Sequence, residues 1–163
     1  MFCDLKDLYK KQEELDLEIA KIHQISYEST RNKRILALLV ELGEFANTTR
    51  CFKFWSFKGP EEKAIMLDEF ADGLHFLLSL GIDKGYIYDS MEVEDNDLEL
   101  TENLLKTYEL VSRYQLEQSE TNYILAFKSY LRSLFKVGYS WEEAKEAYYL
   151  KLQENHHRQE TNY

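Results

Sequence analysis

Proline is almost missing from this chain, with Pro60 the only one in 163 residues, and glycine occurs just six times. Folds of many strands need the turn chemistry that these two residues supply, so their scarcity favours helices. Cysteine is equally sparse. Cys3 and Cys51 have neither metal-type spacing nor a disulfide framework, and read as free thiols of a reducing compartment. Positive charge is also in deficit, 20 Lys and Arg against 30 Asp and Glu, for a formal net charge of −10. That excludes a surface built for a nucleic-acid backbone, which depends on clustered Lys and Arg. A free polyanion remains compatible only where metal cations mediate its contact with acidic groups. Long apolar runs are lacking near the N-terminus. Met1 to Lys11 alternates charge with isolated apolar residues, so neither a signal peptide nor a membrane span is expected, and a soluble, cytoplasmic protein is.

What is present is an apolar fraction of 44% over a length suited to a single core, and one domain over residues 1–163 is expected. Leu5, Leu8, Leu15, Ile19 and Ile22 recur at helical spacing and predict a first helix from about Asp4 to His23. Ser29 or Thr30 can cap a second helix that ends near Thr48. A basic and aromatic segment, Arg50 to Gly59, leads to Pro60, which suits the first turn of a third helix, with Gly81 as its stop. After an acidic, solvated loop, a fourth helix is expected from Asp97 to Glu117 and a fifth from Thr121 to Val137, closed by Gly138. Ser140 and Glu143 form a capping box for a sixth, reaching about Arg158. With no convincing strand pattern, the expectation is an all-α bundle of about six helices.

The second and third helices are apolar nearly all round, yet each keeps a narrow polar stripe. Glu41 and Glu44 share one such stripe, and Glu69, Asp72 and His75 share the other. A single Glu-x-x-Glu on an arbitrary helix is ordinarily a solvated face. Two acidic pairs on two mostly buried helices are different, because an unpaired buried carboxylate loses several kcal/mol of solvation. Arg34 and Lys63, the cations of these helices, lie about two turns from the nearest acids, so a divalent metal is expected, and an all-oxygen donor set selects Mg²⁺ or Mn²⁺ over zinc.

Glu41-x-x-Glu44, 24 intervening residues, then Glu69-x-x-Asp72 resembles the metal-binding signature of the all-α NTP pyrophosphatases. The phrases ELGEFANTTRCFKFWS (Glu41 to Ser56) and DEFADGLHFLLSLGI (Asp68 to Ile82) are similar to the dimeric dUTPase branch of that superfamily. So are KQEELD near the start and the spaced Tyr148, Lys151, Asn155, Arg158, Gln159 and Tyr163 at the end. The chain departs from the branch at Leu150 and Leu152, often Gly and Asn there, and at Asn162, often Gly, which bears on the path of a phosphate-binding tail. From Gly85 to about Tyr123 it matches no motif of the branch.

The resemblance implies hydrolysis of dUTP, and also dUDP, to dUMP, which limits uracil incorporation into DNA. The four acids would hold two or three Mg²⁺ ions, with Mn²⁺ a possible substitute, in a four-helix core. Glu41 is the choice for the general base, although sequence alone does not rank it against Glu44. Lys151, Asn155 and Arg158, spaced i, i+4 and i+7, would present two cations and an amide to the phosphates. For the base and sugar the resemblance points to Gln12, Asn47, Trp55, His75 and Tyr163. Trp55 could stack on a pyrimidine, and an amide such as Gln12 could read its O4 and N3–H edge. His156 and His157 do not match the spaced positions and read as surface residues, and His23 carries no signal. A homodimer is implied as well.

Three rivals stay open on the sequence. A related pyrophosphohydrolase acting on dCTP would share the metal signature. A di-iron carboxylate bundle would use Glu-x-x-His pairs, which Asp72-x-x-His75 imitates only once. A non-enzymatic interaction protein would use the acids to attract a basic partner.

Overall fold

The computed structural model describes all residues, 1–163. Six helices form, as the sequence indicates: α1 (Lys6–His23), α2 (Tyr27–Thr49), α3 (Lys63–Lys84), α4 (Leu100–Leu116), α5 (Glu120–Val137) and α6 (Trp141–Glu160). Two short strands, β1 (Phe2–Asp4) and β2 (Ser90–Glu92), pair antiparallel with Cys3 opposite Met91. No strand was expected there. Three residues are too few to show an alternating pattern, and this ladder is held by burial of Cys3, Met91 and Val93 in the core.

Helix ends follow local chemistry, and several differ from the sequence reading. α2 starts earlier than a Ser29 or Thr30 cap would place it. Ser26 is the N-cap, its hydroxyl accepting from the Ser29 amide while Ser29 returns the bond to the Ser26 amide. Pro60 precedes α3 rather than opening it, since Glu62 is the N-cap. Gly81 does not stop α3 either; it is buried inside the helix, and Gly85, at φ 75°, provides the left-handed C-cap. α4 begins at Leu100, later than Asp97, with Glu99 and Glu102 forming the capping box. Gly138 closes α5, and the Ser140–Glu143 box opens α6, both as expected.

The missing Cβ at Gly81 serves close approach. Tyr123 of α5 lies where that Cβ would stand and donates to the Leu77 carbonyl at 2.9 Å. Two turns earlier Gly73 makes the same room for Tyr130, which donates to Phe70 O at 2.7 Å. Buried hydroxyls satisfied in this way tie α5 firmly to α3. On the other side of α3, Arg31 of α2 forms a two-pronged pair with the buried Asp83 at 2.6 and 2.9 Å. α3 is thus the central element. It packs on α1, α2 and α6, while α4 packs on α2 and pairs with α5, whose Tyr123 and Tyr130 reach α3.

Candidate active site

Glu41 of α2 faces Glu69 and Asp72 of α3. One ligand oxygen from each lies within 4.8 Å of the others, all three residues half-buried. Tight packing of α2 on α3 produces the arrangement, because apolar residues on both flanks, among them Leu38, Leu42, Phe45, Phe70 and Leu74, are buried and leave the acids facing one another. Glu44, the fourth acid of the signature, is exposed and lies outside this trio, although its charge still acts on Glu41 and Glu69.

Three carboxylates this close repel one another and are only partly hydrated. Burial, then the charges of Asp72, Glu69 and Glu44, push the Glu41 carboxyl up to about 7, with Lys151 opposing. Glu69 moves the same way through burial and its acidic neighbours. Burial raises Asp72 too, against the hydrogen bond and charge of Lys151.

Lys151 is the cation that reading α2 and α3 alone does not supply. It reaches across from α6, only 5% exposed, and its ammonium lies 2.8 Å from Asp68, 3.0 Å from Asp72 and 3.6 Å from Glu154. Burial would lower its pKa, but the bonds to Asp68 and Asp72 outweigh that and hold it above the ordinary lysine value. One ammonium against this many carboxylates leaves a negative excess. An all-oxygen donor set of this span fits a hard divalent cation, whose ligands sit about 2.1 Å from the metal for Mg²⁺ and a little farther for Ca²⁺.

Beside the trio opens a cavity of about 320 Å³ between α1, α2, α3 and α6. Glu41 and Asp72 line one part of it, with Asn155, Arg158 and Gln159 from α6 and Gln12, Asp16, Arg34, His75, Phe76 and Ser79 from the other helices. Gln12 is buried, its Nε2 donating to Asp16 at 2.9 Å while its Oε1 faces His75 Nδ1 at 2.5 Å and accepts from Tyr148 at 3.2 Å. His75 stacks on the Tyr148 ring at 4.2 Å, and its Nε2 is buried without a hydrogen-bond partner. Burial pushes the imidazole down to about 3, so it is neutral at physiological pH.

Other candidates lie elsewhere. Trp55 is 64% exposed in the irregular segment after α2, edge-on to Phe52 and Phe54, and does not line the cavity. Asn47 is exposed near the end of α2. Tyr163 is exposed too, but its ring lies 4.7 Å from the Arg158 guanidinium, which also pairs with Glu154. His156 is half-buried against Glu18 at 2.5 Å, and His23 bonds Gln159 at 3.1 Å, whereas His157 is exposed.

Asp16 was missed by sequence reasoning. It is a buried carboxylate on the cavity wall, accepting from Gln12, Tyr27 and Ser79. Burial raises its pKa against those three donors and the charge of Arg34. Its one sequence signal was an acid one turn after Gln12, on the face that carries Leu8 and Leu15 inward.

A family model described as dUTPase matches residues 4–163. The chain belongs to the dUTPase family. It joins the dimeric, all-α branch, whose members are nucleotide pyrophosphohydrolases acting on dUTP, and the acidic trio fits the divalent metal that dUTPases generally use. Among curated proteins, none matches the chain. No helix of this dUTPase is long and apolar enough to cross a membrane.

Proposed function

We propose that this dUTPase hydrolyses dUTP, and also dUDP, to dUMP in a reaction that depends on Mg²⁺, with Mn²⁺ as a substitute. The observation that carries the reading is the meeting of Glu41, Glu69 and Asp72 within 4.8 Å at the edge of a cavity large enough for a nucleotide. Those three acids, joined by Glu44, would hold two or three ions. When bound, divalent ions neutralise phosphate charge and make water a stronger acid, which is what in-line substitution at a phosphoanhydride requires.

The protein's own groups do the rest. Glu41 accepts the proton of the attacking water, a role suited to a carboxylate whose pKa stands near neutrality in the protein alone. Arg158 and Asn155, both on the cavity wall, take the outer phosphates by charge-assisted hydrogen bonds. Lys151 holds Asp68 and Asp72 in place, and with divalent ions bound to the acids its ammonium would be available to a phosphate. Gln12 and His75 belong to the base end, with Trp55, Asn47 and Tyr163 joining only after the segments that bear them close on the nucleotide. The protein works in the cytoplasm as a homodimer, its exposed apolar side chains on α2, Leu36 and Val40, suiting a face that meets a second copy.

The test is pyrophosphate or phosphate release from dUTP, dUDP, dCTP, dTTP and dATP, with and without Mg²⁺. Mg²⁺-dependent turnover of dUTP and dUDP that is lost in Glu41→Gln is expected. A preference for dCTP would overturn the substrate assignment, and full turnover without divalent ions would overturn the chemistry.

A further inference from the structure

Of the two aspartates closest to Lys151, Asp68 is the one that the cleavage chemistry does not use. It precedes Glu69 in the chain, but its carboxylate is outside the group formed by Glu41, Glu69 and Asp72. The side chain is half exposed and lines a second cavity, of about 440 Å³ between α3 and α6, which shares no residue with the cavity beside the acidic trio. One helical turn separates Asp68 from Asp72, so the two stand on one face of α3 while lining different cavities. Lys151 joins them. Its ammonium, almost wholly buried, lies 2.8 Å from Asp68 and 3.0 Å from Asp72, and lines neither cavity.

A buried ammonium needs acceptors wherever it stands, because removing a partner leaves charge uncompensated. Yet Asp72 is also one of the acids placed to hold a divalent ion. Once Asp72 gives its charge to such an ion, Lys151 loses one of its two nearest partners and faces a like charge. Glu154 is a poor replacement, being 3.6 Å away and already paired with Arg158. Glu41, which also feels the charge of Lys151, is itself a member of the trio. Only Asp68 combines a short contact with a place outside the metal-holding group.

We propose that Asp68 is a positioning residue, which keeps the Lys151 ammonium at the rim of the metal site when a divalent ion claims Asp72. The inference rests on the metal-dependent reading above, and names the residue that lets an ion and a buried lysine share one carboxylate. In the metal-free protein the ammonium divides itself between Asp68 and Asp72, so an ion need not break the whole of its pairing to enter. Without Asp68 the ammonium would fall back on Asp72 alone and compete with the ion for it. Anchored by Asp68, the same cation stays beside the acidic trio, where it is within reach of a phosphate.

The experiment is a double-mutant cycle on Mn²⁺ binding, read by electron paramagnetic resonance without nucleotide. It compares the wild type, Asp68→Asn, Lys151→Met and the double variant, with Asp68→Glu alongside. Asp68→Asn should weaken binding on the order of tenfold, the scale of coupling between groups of one charge network. In the Lys151→Met background the same substitution should change binding by about threefold at most, because the cation through which Asp68 acts is gone. Asp68→Glu restores a carboxylate on a half-exposed side chain and should recover most of the wild-type affinity. An equal loss in both backgrounds would show that Asp68 acts on the ion itself, as a ligand or by its charge, and would overturn the proposal. Wild-type affinity in Asp68→Asn would overturn it too, whether or not the Lys151 variants fold, and so would a failure of Asp68→Glu to recover binding. A wild type that binds no Mn²⁺ would defeat the metal-dependent reading, and this proposal with it.

Discussion

Replacing Glu41 by Gln should make the metal-free protein more stable at pH 8 while removing its activity. Burial and three neighbouring acids raise the Glu41 carboxyl from its ordinary 4.5 to about 7 in the folded chain. Over the interval between those values the folded state holds a proton that the unfolded state has released. The folded chain therefore carries no penalty from Glu41 below about pH 4.5, loses stability as pH rises through the interval, and bears the full penalty above about pH 7. A shift of this size corresponds to about 3 kcal/mol, which water reaching the half-buried carboxylate reduces to about 1–2 kcal/mol. For a chain of this length the gain would raise Tm by roughly 2–8 °C. Thermal unfolding of wild type and Glu41→Gln with a chelator at pH 8 and pH 5 measures it, with Mg²⁺ added as a third condition. The variant should be the more stable at pH 8, match the wild type at pH 5, and lose its advantage in Mg²⁺. A variant that is less stable at pH 8, or equally favoured at both pH values, would refute the reasoning that crowded acids destabilise the folded site.

Lys151→Met leaves Asp68 and Asp72 without their cation. The metal-free protein should lose about 2–3 kcal/mol, less than for a fully buried pair because Asp68 is half exposed, and Mg²⁺ should restore part of it in chemical denaturation. Gly73→Ala puts a methyl group where Tyr130 lies against α3, and should cost about 1–3 kcal/mol and loosen the acidic trio, read as a lower Tm together with weaker Mg²⁺ activation. Trp55→Ala should change stability by less than about 0.5 kcal/mol, since the ring is mostly in solvent, while raising KM for dUTP; an unchanged KM would remove Trp55 from the site.

Much of the site could be read from spacing alone. Two helices apolar on every side but one singled out Glu41, Glu44, Glu69 and Asp72, of which the structure gathers all but the exposed Glu44, and Gly138 and the Ser140–Glu143 box marked the junction of α5 and α6. What stayed hidden depends on contacts between elements distant in the chain. Gly81 carries the chemistry of a helix stop, but Tyr123 makes it a point of close approach. Lys151 was expected at the phosphates, and only the crossing of α6 over α3 pairs it with Asp68 and Asp72. Asp16 needed donors from three helices before its burial made sense. The strands at Phe2 and Ser90 leave no local trace because each is stabilised by the other, some ninety residues away.

Binding of Mn²⁺, followed by electron paramagnetic resonance in the wild type, Glu69→Gln and Asp72→Asn, bears most directly on the claim that α2 and α3 bring their acids together to hold a divalent ion. Each substitution should weaken binding by roughly tenfold or more, because it removes one hard oxygen charge from a shared site. Equal affinity in all three proteins would show that these carboxylates do not act on a common ion.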